Sequence, residues 1–268
     1  MSRLPERIVC LSTETVEVLY ALGEDARIAG ISGYTVRPPR ARHEKPKVSG
    51  FSTARIERIL AVRPDLVLAF SDLQADICRD LVRAGVEVHH FNQRDVAGIF
   101  RMVATVGRLV GAEQRAAAYV AELERHLGDV CAAAATLPRR PRVYFEEWDA
   151  PQISGICWVS ELIAVAGGDD VFPELARCQS ATERTIADPM EVVRRAPDII
   201  VGSWCGKKFQ PAKVRARPGW ETMPAVRDGQ LHEVKSALVL SPGPAAVTDG
   251  VTALSTIIRE WSSTVGSC

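Results

Sequence analysis

From Ala112 to Leu137 the chain is written mostly in Ala, Glu, Leu and Arg, all strong helix formers. Tyr119, Leu123, Leu127 and Val130 recur at helical spacing along it. Gly111 stands before the stretch, and Pro138 and Pro141 stop it. One helix over this stretch would run about 35 Å at 1.5 Å per residue, enough to cross a small domain. An α/β pattern lies on either side of it. The stretch therefore reads as a strut, residues 112–137, joining an N-terminal lobe, residues 1–111, to a C-terminal lobe, residues 138–268.

The first lobe alternates short apolar runs with amphipathic ones. Arg7–Leu11, Ile28–Ile31, Leu66–Phe70 and Val86–Phe91 read as buried strands, with helices over residues 14–22, 53–62 and 74–84 between them. The segment from Gly33 to Lys47 reads as a loop, by its prolines and charges. Beyond the strut come strands at Val143–Glu147, Ile199–Ser203 and Leu231–Val234, and helices over 158–166, 189–195 and 244–261. Trp148–Pro151 reads as a loop. An echo ties the halves together. Glu57 to Leu68 and Glu191 to Val201 each spell a helix, a Pro-Asp turn (Pro64-Asp65 and Pro197-Asp198) and a buried strand. One copy per lobe implies paired lobes, since a solenoid needs at least about three repeats. The fold class expected is α/β: two Rossmann-like lobes with parallel sheets, joined by one long helix.

Composition excludes several roles. Thirty-three basic residues balance 33 acidic ones, which leaves no electrostatic footprint for nucleic acid. No apolar run reaches the roughly 20 residues that span a bilayer. Met1 to Arg7 leads straight into a strand with no signal-peptide h-region, and the seven cysteines are an odd set without a CxxC pair. Both features point to a cytoplasmic location for the sequence as written.

In open α/β sheets ligands bind beyond the carboxyl ends of the strands. Two facing lobes would gather those ends around one cleft. The loops there carry Tyr34, Phe51, Phe70, Ser71, Trp148, Trp158, Trp204, Lys207 and Ser241, with Ser12 after the first strand. Flat apolar walls with a few polar groups suit a large, partly apolar ligand. Each aromatic has a plainer reading as a plug in its local core. Catalytic motifs are missing: no GxSxG, HExxH or Walker loop occurs. None of the five histidines has metal-site spacing to another His or Cys, so no metal ligands are assigned. Glu146 and Glu147 adjoin, but strand alternation sends them to opposite faces. Cys205, which Lys207 would activate, is the best candidate nucleophile and carries the one enzymatic alternative.

Arg7 to Gly23, Ile31 to Pro39 and Ile56 to Val67 are similar to the corresponding segments of class III substrate-binding proteins of ABC importers, the helical-backbone metal-receptor type. The Tyr34 to Pro39 segment, Trp158, Ser203 to Lys207 and Ser241 to Pro244 look most like the cobalamin-binding branch. The resemblance covers nearly the whole chain. It implies a non-enzymatic, monomeric binding protein with cobalamin or another corrinoid as ligand and no catalytic cofactor. The ring would lie against Tyr34, Phe51, Phe70, Trp148, Trp158 and Trp204. Ser12, Ser71, Cys205, Lys207 and Ser241 would meet its side groups. Haem or a ferric siderophore is the alternative ligand. The resemblance further implies docking on an ABC permease through one glutamate per lobe, and a periplasmic location where a leader has been removed. Glu57, seven residues before Pro64, fits the docking pattern; in the second lobe that position is Met190, and Glu191 falls one residue late.

Overall fold

The computed structural model describes residues 4–265. The first residues and Cys268, part of the compartment argument above, lie outside the described residues. The chain divides into two compact units. The first takes the chain up to Gln93 together with Ala97–Leu123, and the second takes Arg94–Val96 and everything from Glu124. The division falls inside the predicted strut, which forms one helix of 22 residues, Glu113–Ala134.

In the first unit, strands β1 (Ile8–Cys10), β2 (Ile28–Ser32), β3 (Lys47–Ser49), β4 (Leu66–Phe70) and β5 (Val88–Phe91) form one sheet in the order β3-β2-β1-β4-β5. Every pairing is parallel. Strands β1 and β4 are buried along their whole length, as near-continuous apolar runs require when helices cover both faces. One face packs Val9, Val67, Leu11 and Ala69 against Ile59, Ile77 and Leu81 of the covering helices. The order reverses at β1, so the topological switch point lies between the carboxyl ends of β1 and β4. Strand β3 replaces the end of the expected loop from Gly33 to Lys47, and a short helix, Ala41–Glu44, interrupts it. Its prolines and charges hid both, because β3 is a three-residue edge strand with only Val48 buried.

The second unit holds β6 (Arg142–Asp149), β7 (Gln152–Ser154), β8 (Asp169–Asp170), β9 (Ile199–Gly202) and β10 (Leu231–Glu233), ordered β10-β9-β6-β7 with β8 also on β6. Strands β8, β9 and β10 run parallel to the line of β6, but β7 is antiparallel to it. The parallel strands expected of the second sheet are thus joined by one short antiparallel strand, β7. Trp148 and Asp149 continue strand β6 instead of opening a loop, and the chain folds back through Ala150-Pro151 into β7. The final helix also differs from expectation: a π-helical segment, Ala246–Gly250, precedes the regular helix Val251–Val265. A Cβ on Gly250 would stand 2.4 Å from the Leu238 carbonyl oxygen, so glycine is what lets the wide turn pack on the helix Ser236–Val239.

The Pro-Asp echo has a structural purpose. In each unit the residue before the proline takes a left-handed conformation, Arg63 at φ 47° and Ala196 at φ 42°, and ends its helix. The aspartate then clasps the start of the neighbouring central strand. Asp65 accepts the Arg7 N–H at 3.0 Å, and Asp198 accepts the Arg142 N–H at 2.8 Å. The repeated sequence thus registers β4 on β1 and β9 on β6.

Candidate ligand site

At the switch point of the first unit a buried glutamine holds three strand ends together. Gln74 has no exposed surface. Its Oε1 accepts the Phe70 N–H at 2.9 Å, while its Nε2 donates to the carbonyls of Leu11 at 3.1 Å and Phe51 at 2.8 Å. The loops after β1, β3 and β4 are therefore fixed by one side chain. Ser71 follows β4 at φ 66°, with its N–H donating to Phe91 and its carbonyl oxygen 2.8 Å from His90 Nε2. Its hydroxyl is buried and has no partner among the described residues. Ser12 is buried at the opposite lip. Glu14, two residues on, is 3% exposed; burial pushes its carboxyl above the usual range, against the opposing pull of its own backbone N–H and the Ser12 hydroxyl. Tyr34 leaves 70% of its surface exposed on the loop after β2, Phe51 is half-buried after β3, and Phe70 is buried at the end of β4.

The second unit uses a charged clasp at its own switch point. Glu146, on β6, is fully buried. Its carboxylate accepts two bonds from Arg217, at 2.6 and 2.9 Å, one from Trp204 Nε1 at 2.9 Å and one from the Tyr144 hydroxyl at 3.0 Å. Burial, then the Glu146 charge, raises the Tyr144 phenol well above its ordinary pKa and keeps it a donor. Glu147 turns away and pairs with the buried Arg184 at 2.5 Å, so the two adjacent carboxylates form no dyad.

These contacts revise the expected ligand walls. Trp158 and Trp204 are 3% and 2% exposed. Trp158 donates its indole N–H to Val239 at 2.8 Å, and Trp204 stacks edge-on against Phe209, 5.0 Å between centroids. Both indoles are thus buried inside the second unit, Trp158 in the first turn of the helix Cys157–Val165 and Trp204 after β9. Trp148 remains half-buried, with Lys207 Nζ 3.8 Å from its ring centroid. Lys207 is also bonded to Asp149. Burial pushes the Asp149 carboxyl up, but the Lys207 bond and charge outweigh it and hold the group below the usual range. Ser241 is half-buried and its carbonyl accepts the Gly243 N–H at 2.8 Å.

Cys205 lies at the surface of the loop after β9. Crowding of its thiol by protein, and second the Glu147 charge, push its pKa up, the opposite of the activation expected from Lys207. Lys207 is committed to Asp149 and the Trp148 ring instead. Iodoacetamide near neutral pH should accordingly alkylate Cys205 more slowly than free cysteine; alkylation faster than free cysteine would restore the nucleophile reading. Among the described residues no group of three or more His, Cys, Asp or Glu is placed to hold a metal ion.

The two expected docking glutamates differ. Glu57 is exposed in the first turn of the helix Ile56–Ala61. Glu191, in the first turn of Met190–Arg195, is bonded to Arg194 at 2.7 Å and Arg195 at 2.9 Å, while Met190 stands exposed. Its carboxylate is already shared by two arginines of its own helix.

The model of the family described as periplasmic binding protein matches residues 8–238. The chain belongs to that family. Among curated relatives, a cobalamin-binding protein of Halobacterium salinarum is 28% identical over 201 residues, 74% of this chain and 53% of its own length. The chain thus spans about half the length of that relative. An ABC transporter substrate-binding lipoprotein of Bacillus subtilis, YvrC, is 25% identical across 91% of this chain and 77% of its own. Two solved structures share the fold. The periplasmic heme-binding protein RhuT from Roseiflexus, in apo form, has a TM-score of 0.80 at 21% identity over 95% of this chain and 99% of that one. The periplasmic vitamin B12 binding protein BtuF of Vibrio cholerae has a TM-score of 0.76 at 20% identity over 96% and 98%.

Proposed function

We propose that this chain binds cobalamin or a related corrinoid and carries out no reaction on it. The observation that carries this reading is the similarity to the H. salinarum cobalamin-binding protein across three quarters of the chain. The site geometry supports it. In the first unit, Gln74 pre-forms the loops at the switch point, Tyr34 and Phe51 supply aromatic surface, and Ser12 and Ser71 supply polar groups. In the second unit, Trp148, Lys207 and Ser241 play the corresponding parts on loops held by Glu146. Trp158, Trp204 and Phe70 act from beneath, by holding those loops in place. Rigid, pre-formed loops lose little conformational freedom on binding, which favours affinity.

The chain works outside the cytoplasm and delivers its ligand to a permease, with Glu57 as the accessible docking carboxylate and Glu191 restrained by Arg194 and Arg195. Isothermal titration with cyanocobalamin should give saturable heat at micromolar concentrations. No heat with cyanocobalamin, alongside saturable binding of haem or a ferric siderophore, would sink the corrinoid assignment. The exposed Tyr34 phenol is what favours the haem alternative, since a tyrosine can serve as an axial ligand. A Soret shift on adding haem, abolished by Tyr34→Phe, is the signature of that alternative.

A further inference from the structure

The loop after β3 borders a cavity of about 400 Å³ that the functional reading leaves unused. Lys47, Arg55 and Arg58 line it together with Ser49, Gly50 and Thr53. Among the described residues, no carboxylate pairs with any of these three cations. The whole chain is electrically balanced, so this is a local excess and not a generally basic surface. Arg55 and Arg58 are three residues apart and share one side of their turn, while Glu57 between them does not line the cavity. The Ser49 hydroxyl is buried and has no partner among the described residues.

The walls are built before any ligand arrives. Ser32 Oγ donates to the Gly50 carbonyl at 3.2 Å, and the Gly50 N–H donates to Thr53 at 2.8 Å. An isolated bridge joins Ser49 to Ala54, and Gln74 holds the Phe51 carbonyl. A Cβ on Gly50 would stand 2.7 Å from Thr53 Oγ1 and 3.8 Å from the Tyr34 ring, so the glycine closes the turn and puts the cavity beside Tyr34. Two guanidinium forks and one ammonium around a single space match an oxyanion with several oxygens. A carboxylate would use only part of that donor set.

We propose that this cavity binds a phosphate group, with Lys47, Arg55 and Arg58 on its oxygens. Two sources share that chemistry: the phosphodiester in the nucleotide loop of a cobalamin, and free inorganic phosphate. Only the first rests on the corrinoid reading above. The test titrates wild type and the double variant Arg55→Gln/Arg58→Gln with cyanocobalamin, with dicyanocobinamide, which lacks the nucleotide loop, and with inorganic phosphate. The expected result is that wild type binds cyanocobalamin at least about tenfold tighter than the cobinamide, the scale of one charge-assisted bond. The variant should lose that preference while keeping its cobinamide affinity. Saturable phosphate binding that the variant loses, without a cobalamin preference, assigns the site to free phosphate. Equal weakening of both corrinoids in the variant, or no preference together with no phosphate binding, overturns the proposal. If wild type binds no corrinoid at all, the parent reading fails by itself. The phosphate titration then decides this one: saturation lost in the variant supports it, and no binding overturns it.

Discussion

Replacing Glu146 by alanine should lower the stability of the second unit by about 3–5 kcal/mol, the usual cost of breaking a buried, hydrogen-bonded ion pair. The expectation follows from what the carboxylate holds. Its removal leaves the Arg217 guanidinium, the Trp204 indole N–H and the Tyr144 hydroxyl without their acceptor in a region sealed by Phe172, Phe209 and Trp220. For a domain whose whole stability is of order 5–15 kcal/mol, that loss approaches unfolding. Urea denaturation followed by tryptophan fluorescence reads it directly, because Trp204 and Trp220 both sit in the affected core. A loss under about 1 kcal/mol, the level of an exposed pair, would mean the cluster is solvated and the clasp is not structural.

Gln74→Ala is the matching experiment in the first unit. The substitution strands the Phe70 N–H and the carbonyls of Leu11 and Phe51 at once. With each buried polar group left unpaired costing about 1–3 kcal/mol, a total of at least about 3 kcal/mol is expected. The effect should be larger on function than on stability, because the loops after β1, β3 and β4 lose their common anchor and with it their pre-formed geometry. Gln74→Glu separates the two halves of the clasp: an ionised carboxylate still accepts from Phe70 but donates to neither carbonyl. Hydrogen exchange at the Phe70 amide should stay slow in Gln74→Glu and become fast in Gln74→Ala. Equal protection in both variants and wild type would remove Gln74 from its place at the site.

The frame of the molecule is legible because it is written in local signals. The helix Glu113–Ala134 follows from propensity, and the Pro-Asp echo marks the same helix–turn–strand step in each unit. Features that depend on who meets whom are not local. Strand β3 is three residues long with one buried side chain, and its pairing with β2, not its composition, makes it a strand. Trp148 to Pro151 carries turn residues, yet the turn belongs to a hairpin whose second strand is only Gln152–Ser154. An aromatic after a strand can be a ligand wall or a core plug, and sequence position does not separate the two. Trp204 is drawn inward by Glu146, 58 residues away, while Tyr34 has nothing comparable to bury against. The two clasps left faint traces that a polar-group argument finds: a carboxylate closing the apolar run Val143–Phe145, and a glutamine just after a buried strand. Each demands a partner once buried, though neither names it. The anion pocket left still less, since Lys47 and the pair Arg55 and Arg58 are brought together only by the pairing of β3 and the bridge behind it.

One spectrum tests most directly whether the chain takes a corrinoid through pre-formed loops. Purified protein is mixed with equal amounts of cyanocobalamin and haem, passed through a desalting column, and its visible absorption recorded. The corrin bands are expected in the protein fraction at close to one equivalent, reduced in Gln74→Ala. A protein fraction carrying a Soret band and no corrin absorption would contradict it.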